Sequence, residues 1–206
     1  MWQVRSIVRV SVIVLACCVQ LLATPEVESK STEPASRVFV GAGALLAFQQ
    51  DLNPSSKPTA TYPALSVSAR GGYQYRFFTP LIVRLYLDYT MSVRPTGLES
   101  VTTSSFLVNS DVVSYFYSLS SVRFGLFAGV GLGIGTYGKE VQEDPSALDS
   151  VLAKGFSAFV NGGLSVLFAS THRLELGVKF PITKLELAPT RAYQDTHLLL
   201  MYDYVF

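Results

Sequence analysis

Apolar and polar residues alternate along most of this chain. In 196–206, Leu198, Leu200, Tyr202, Tyr204 and Phe206 share one face, and His197, Leu199, Met201, Asp203 and Val205 the other. A period of two is that of a β-strand, whose successive side chains point to opposite sides. Segment 64–77 sets Leu65, Val67, Ala69, Gly71, Tyr73, Tyr75 and Phe77 against Ser66, Ser68, Arg70, Gly72, Gln74 and Arg76. Segment 81–91 sets Leu85, Leu87, Tyr89 and Met91 against Arg84, Tyr86, Asp88 and Thr90. Segments 123–135 and 173–180 repeat the pattern, and 38–49 and 155–168 do so more weakly. Segment 106–117 loses parity near Asp111, which predicts a bulge or a register shift there. Nothing after residue 37 shows a helical period. The count is eight strands of about ten residues, the length a tilted strand needs to cross a bilayer.

The connections alternate in length. Short ones are predicted at 78–80, 119–122 and 169–172, long ones at 50–62, 92–105, 136–154 and 181–195. Short turns at one rim and long loops at the other describe an outer-membrane barrel. The predicted fold is therefore all-β: an eight-stranded antiparallel up-and-down transmembrane β-barrel over 38–206.

Periodicity alone does not separate this barrel from a soluble ligand-binding one, which turns its apolar face inward. Charge and aromatic placement do. The polar faces hold Arg70, Arg76, Arg84 and Lys179 with Asp88, Glu175 and Asp203, a near balance that suits buried pairing. Aromatics gather at strand ends on the apolar face (Tyr73, Tyr75, Phe77, Phe180, Tyr202, Tyr204 and Phe206), as rings do at a membrane interface.

The N-terminus agrees. Arg5 and Arg9 precede an apolar run over 10–23 that is shorter than a membrane-spanning helix requires. Residues 1–24 read as a secretory signal, with cleavage after Ala23. An alternative is lipidation of Cys17 in Val14-Leu15-Ala16-Cys17, which loosely resembles a lipoprotein box. Residues 25–37 are polar and rich in Pro, Ser and Glu, a flexible lead-in.

Composition narrows the function. The chain is 49% hydrophobic and 15% charged, too apolar for disorder over most of its length. A formal net charge of +1 gives no basic face for nucleic acid. The two cysteines, Cys17 and Cys18, are adjacent and lie in the N-terminal segment, so no disulfide or zinc framework is expected.

Outer-membrane barrels usually end in Phe after alternating apolar residues, as Leu198, Leu200, Tyr202, Tyr204 and Phe206 do here. The stretch His172-Arg173-Leu174-Glu175-Leu176-Gly177-Val178-Lys179-Phe180-Pro181-Ile182, the finish Tyr202-Asp203-Tyr204-Val205-Phe206 and the glycine-rich strand over 125–135 resemble the Helicobacter-type outer-membrane protein family. The resemblance spans roughly the last 80 residues. It implies location in the bacterial outer membrane and a C-terminal segment read by the barrel-assembly machinery. It also implies contact with outer-membrane lipids and lipopolysaccharide.

No catalytic constellation is expected. The run Gly129-Val130-Gly131-Leu132-Gly133-Ile134-Gly135 has a spacing of two and no following helix, so it is no nucleotide loop. The only histidines, His172 and His197, stand at no fixed spacing from a nucleophile. No cofactor or metal is expected. The inward charges have two readings, an ion path or a plug of salt bridges. An eight-stranded barrel is just wide enough for its own side chains, which favours the plug. The expected function is a structural or surface-interaction role, with a host or surface ligand bound by the long loops. The alternatives are a small porin and a lipid-modifying enzyme.

Overall fold

A computed structural model describes residues 35–52, 58–78, 80–96, 99–141, 151–188 and 191–206. The signal segment, nearly all of the lead-in and Cys17 lie outside these residues. Nine strands follow in chain order: β1 Ser36–Leu52, β2 Pro58–Phe78, β3 Leu81–Thr96, β4 Glu99–Leu119, β5 Val122–Val141, β6 Val151–Phe168, β7 His172–Pro181, β8 Leu185–Ala188 and β9 Arg191–Val205. Each pairs antiparallel with its neighbours, and β1 pairs with β9 from Phe39↔Val205 to Leu52↔Ala192, which closes the sheet. Both β7 and β8 pair with β9. They are two pieces of one stave, so nine strands build an eight-stranded barrel.

The outward faces define a belt. On β6 the row from Phe168 through Leu164 and Val160 to Phe156 is apolar, and the next outward residue is Lys154. On β7 the row ends at Phe180, Ile182 continues it, and Lys184 follows. On β4, β5 and β9 the rows give way to Ser104, Thr136 and Thr196. Among the described residues, forty large apolar side chains are exposed in this way, a surface that water does not tolerate and lipid does.

Three sequence expectations are corrected. First, the barrel begins at Ser36, two residues before the predicted start. Arg37 fixes this end: its Nε donates to the Phe206 carbonyl at 2.6 Å and its Nη2 to that of Val205 at 2.9 Å. Second, β4 runs straight through Asp111, with Leu107, Asn109, Asp111 and Val113 all buried inward. The register shift falls later, between Tyr115 and Tyr117. Alternation blurs because Leu107 and Val113 are apolar yet face in, while Ser110 faces out. Third, most of the predicted long loops are strand. β2 and β4 each run 21 residues and β5 runs 20. Pairing reaches Leu52↔Pro58, Thr96↔Glu99 and Glu99↔Val141. Above the membrane the outward face meets water in place of lipid and turns polar, while Val101, Tyr137, Leu185 and Tyr193 pack inside, so the belt's alternation disappears while Ser- and Thr-rich backbone still pairs.

The short turns stand as expected between β4 and β5 and between β6 and β7. Ser120, Ala169 and Ser170 adopt left-handed φ values of 50°, 47° and 61° there, as tight hairpin turns demand.

Candidate functional site

The lumen begins with glycine. Gly129 and Gly131 on β5 face inward, and a Cβ on either would overlap the side-chain oxygens of Asp111 and Asn109 on β4. The strict spacing of two therefore clears one lumen wall so that larger polar groups reach across it.

Those groups form a connected cluster of three arginines and three carboxylates, with one further ion pair above it. Arg84 from β3 is fully buried; its Nη1 donates to Glu175 Oε1 at 2.7 Å and its Nη2 to Asp111 Oδ2 at 2.8 Å. Arg70 from β2 donates from Nε to Asp203 Oδ1 at 2.8 Å and from Nη2 to Glu175 Oε2 at 2.5 Å. Arg173 from β7 reaches Asp203 Oδ2 at 3.3 Å and also donates to Gln74. The Tyr86 hydroxyl donates to Asp111 Oδ2 at 2.8 Å, and Asn161 Nδ2 to Asn109 Oδ1 at 3.0 Å. One level nearer the extracellular rim, Lys179 pairs with Asp88, whose other oxygen accepts from Ser68 at 2.6 Å. The cations are Arg70, Arg84, Arg173 and Lys179; the carboxylates are Asp88, Asp111, Glu175 and Asp203. Four meet four, so the cluster and the pair above it are neutral.

Apolar side chains hold the cluster in place. The Arg84 guanidinium lies 5.8, 5.6 and 5.5 Å from the ring centres of Phe39, Tyr86 and Phe127. Rings on several sides exclude water and restrict the guanidinium to its two carboxylates.

Six of the seven lumen charges named from sequence lie buried in this arrangement: Arg70, Arg84, Asp88, Glu175, Lys179 and Asp203. Arg76 faces the same side but is only half-buried, paired in register with Ile82 near the periplasmic rim. Sequence reasoning did not include Asp111 in the network, because of the blurred parity of β4. Arg173 stood outside the seven named charges, but its depth on the polar face of 173–180 points to Asp203, which is its register partner. Arg94, on β3 toward the extracellular rim, is also buried and was missed; its Nε and Nη1 have no hydrogen-bond partner. The C-terminal row Leu198, Leu200, Tyr202, Tyr204 and Phe206 is exposed outward in full.

The two histidines stand apart. His172 faces outward at the periplasmic rim, with Nδ1 2.7 Å from the Tyr202 hydroxyl. His197 faces the lumen toward the extracellular rim, with Nε2 3.3 Å from Asp195 Oδ2. Among the described residues, no cluster of three or more His, Cys, Asp or Glu side chains is placed to hold a metal.

Comparison with solved structures gives the same architecture. The attachment invasion locus protein Ail of Yersinia pestis superimposes with a TM-score of 0.57 at 13% identity, covering 84% of this chain and 100% of Ail. Neisserial surface protein A gives 0.58 at 15% identity, covering 82% of this chain and 97% of its own. Ail in complex with the heparin analogue sucrose octasulfate gives 0.52 at 12% identity, covering 84% and 100%. No curated protein matches the chain. The family model described as Helicobacter outer membrane protein matches residues 68–205, more than half of the chain. This eight-stranded barrel of the bacterial outer membrane therefore belongs to the Helicobacter outer membrane protein family.

Proposed function

We propose that the barrel is sealed and that its work is done at its extracellular rim, as a structural and surface-interaction protein. One observation carries this reading: Arg84 on β3, fully buried, reaches across the lumen to Glu175 on β7 at 2.7 Å while its neighbour Asp111 on β4 holds its other nitrogen at 2.8 Å. A passage for solutes needs a water-filled path, and eight strands leave little width beyond their own side chains. The same filling argues against an enzyme site in the lower lumen, where every carboxylate already serves a cation.

The rim has the material for recognition. Its hairpins continue as paired strands above the belt, which holds their tips on stiff supports. Segments 50–62, 92–105, 136–154 and 183–196 together carry six Lys or Arg and eight Asp or Glu. Ail has been solved with a sulfated heparin analogue. A polyanion of that kind needs a basic cluster, and here acids outnumber bases, so a ligand read by shape and hydrogen bonds suits this rim better. The Leu198–Phe206 row, outward on the closing strand, is the surface we assign to the assembly machinery.

The reading is tested by replacing 53–57 and 142–150 with Gly-Ser segments of equal length. Attachment of protein-expressing cells to host-cell monolayers is expected to fall to background at an unchanged outer-membrane level of the barrel. Unchanged attachment would remove the rim from the function.

A further inference from the structure

The upper edge of the lipid belt is uneven in charge. β4, β5 and β9 end their apolar rows in Ser104, Thr136 and Thr196, which are neutral. β6 and the β7–β8 stave beside it end theirs in Lys154 and Lys184, both exposed. Among the described residues, no other cation faces outward at this level. Lys179, lower on the same stave, faces inward and is taken up by Asp88.

The two lysines are neighbours. The β6–β7 ladder ends at Phe159↔Pro181, and the Ile182 N–H still donates to the Ala158 carbonyl at 2.7 Å. Carried upward, that register sets Lys184 beside Phe156, one outward position below Lys154. Thr183 Oγ1 accepts from the Ala158 N–H at 2.9 Å, and Leu185 packs inward where a Cβ on Gly155 would stand 2.8 Å from its Cδ1. The backbone beneath both lysines is therefore pinned. Diagonal neighbours across two strands are roughly 7–8 Å apart, so two long side chains reach one anion between them.

Their surroundings are those of a lipid headgroup. Directly below, Phe156, Phe180 and Ile182 are exposed by 61, 57 and 47%, a surface for acyl chains. To one side, Lys154 is in register with Thr136 and Thr136 with Ser104, whose hydroxyl oxygens lie 2.7 Å apart. Glu186 is the nearest acid on the outward face, two residues above Lys184. Among the described residues, neither lysine forms an ion pair with it or with any other carboxylate. Two like charges at adjoining positions repel, and an anion between them turns that repulsion into attraction.

We propose that Lys154 and Lys184 together hold a phosphate monoester of an outer-leaflet glycolipid on the outside of the barrel. Its acyl chains lie along Phe156, Phe180 and Ile182, and its sugar lies toward the hydroxyls of Thr136 and Ser104. A phosphate monoester carries close to two negative charges at neutral pH, which matches two ammonium groups. The phosphodiester of an ordinary phospholipid carries one and matches them less well. This goes beyond the rim reading and does not depend on it.

The test is native mass spectrometry of the purified full-length barrel with diphosphoryl lipid A against the same lipid A stripped of its phosphates. Retention of the phosphorylated form is expected to be about tenfold greater, the effect of two ammonium groups beside an anionic headgroup. Lys154→Gln with Lys184→Gln is expected to abolish the preference, and Lys154→Arg with Lys184→Arg to keep it. Heat-dependent gel mobility checks that both double variants fold. Phosphatidylglycerol at equal concentration is expected to leave the phosphorylated lipid A in place. Equal retention of the two forms by the unmodified protein would overturn the proposal. So would a preference that survives in the folded glutamine variant, or displacement by phosphatidylglycerol as complete as by lipid A itself.

Discussion

Arg84→Ala is expected to destabilise the barrel by about 3–5 kcal/mol, because it strips the central cation from carboxylates that cannot reach water. Glu175 and Asp111 are both fully buried, and Arg84 holds one with each Nη. After the change, Glu175 keeps only Arg70, while Asp111 keeps the Tyr86 hydroxyl and a long contact from Asn161 at 3.4 Å. The cluster and the ion pair above it then carry four carboxylates against three cations in a narrow space. Urea unfolding of the protein in phospholipid vesicles, followed by circular dichroism, measures the loss. The double variant Arg84→Met with Asp111→Asn restores neutrality, so its loss is expected to be smaller than that of Arg84→Ala. A loss below about 1 kcal/mol for Arg84→Ala is what a solvated surface pair gives, and it would place Arg84 in water.

The second large effect belongs to the outer face. Leu164 lies within the outward row of β6 that runs from Phe168 to Phe156 and is 52% exposed. In lipid that exposure is contact with hydrocarbon. Leu164→Lys is expected to cost roughly 2–4 kcal/mol near the bilayer midplane. Ile134→Lys, at the upper end of the β5 row beside Thr136, is expected to cost about 0–1 kcal/mol, because the ammonium there snorkels to the interface. The same unfolding measurement compares them. Equal losses, or the reverse order, would contradict the depth assigned to the belt.

What the sequence revealed follows from where the environment is two-sided. Inside the belt each strand has lipid on one face and lumen on the other, so Leu65 to Phe77 and Leu198 to Phe206 alternate cleanly, and strand number, facing and closure are legible. Above the belt the outward face meets water in place of lipid, while Val101 and Thr103 turn inward and are buried. Ser100 to Ser105 then carry no alternation, and β4 reads as loop although it continues as strand to Glu99. Within the lumen, parity places a side chain inward but does not give its depth. Arg70 and Arg76 have the same parity, yet Arg70 reaches Asp203 and Glu175 while Arg76 stays half-buried at the rim. Asp111 escaped for the opposite reason. Its inward neighbours Leu107 and Val113 pack in the lumen as apolar filler, and their apolarity imitates a lipid face.

The interruption of the stave at Pro181 carried no sequence signal of its own. A proline followed by Ile-Thr-Lys reads as the start of an ordinary loop. Only the register shows that β8 resumes the same stave without pairing to β6.

The central claim is a lumen closed by a neutral cluster of side chains. Steady current through the purified protein in a planar bilayer tests it most directly. The unmodified barrel is expected to show no stable conductance steps in molar potassium chloride, and Arg84→Ala, where it inserts, a small leak. Large, stable, voltage-proportional steps from the unmodified protein would contradict the account and make the barrel a channel.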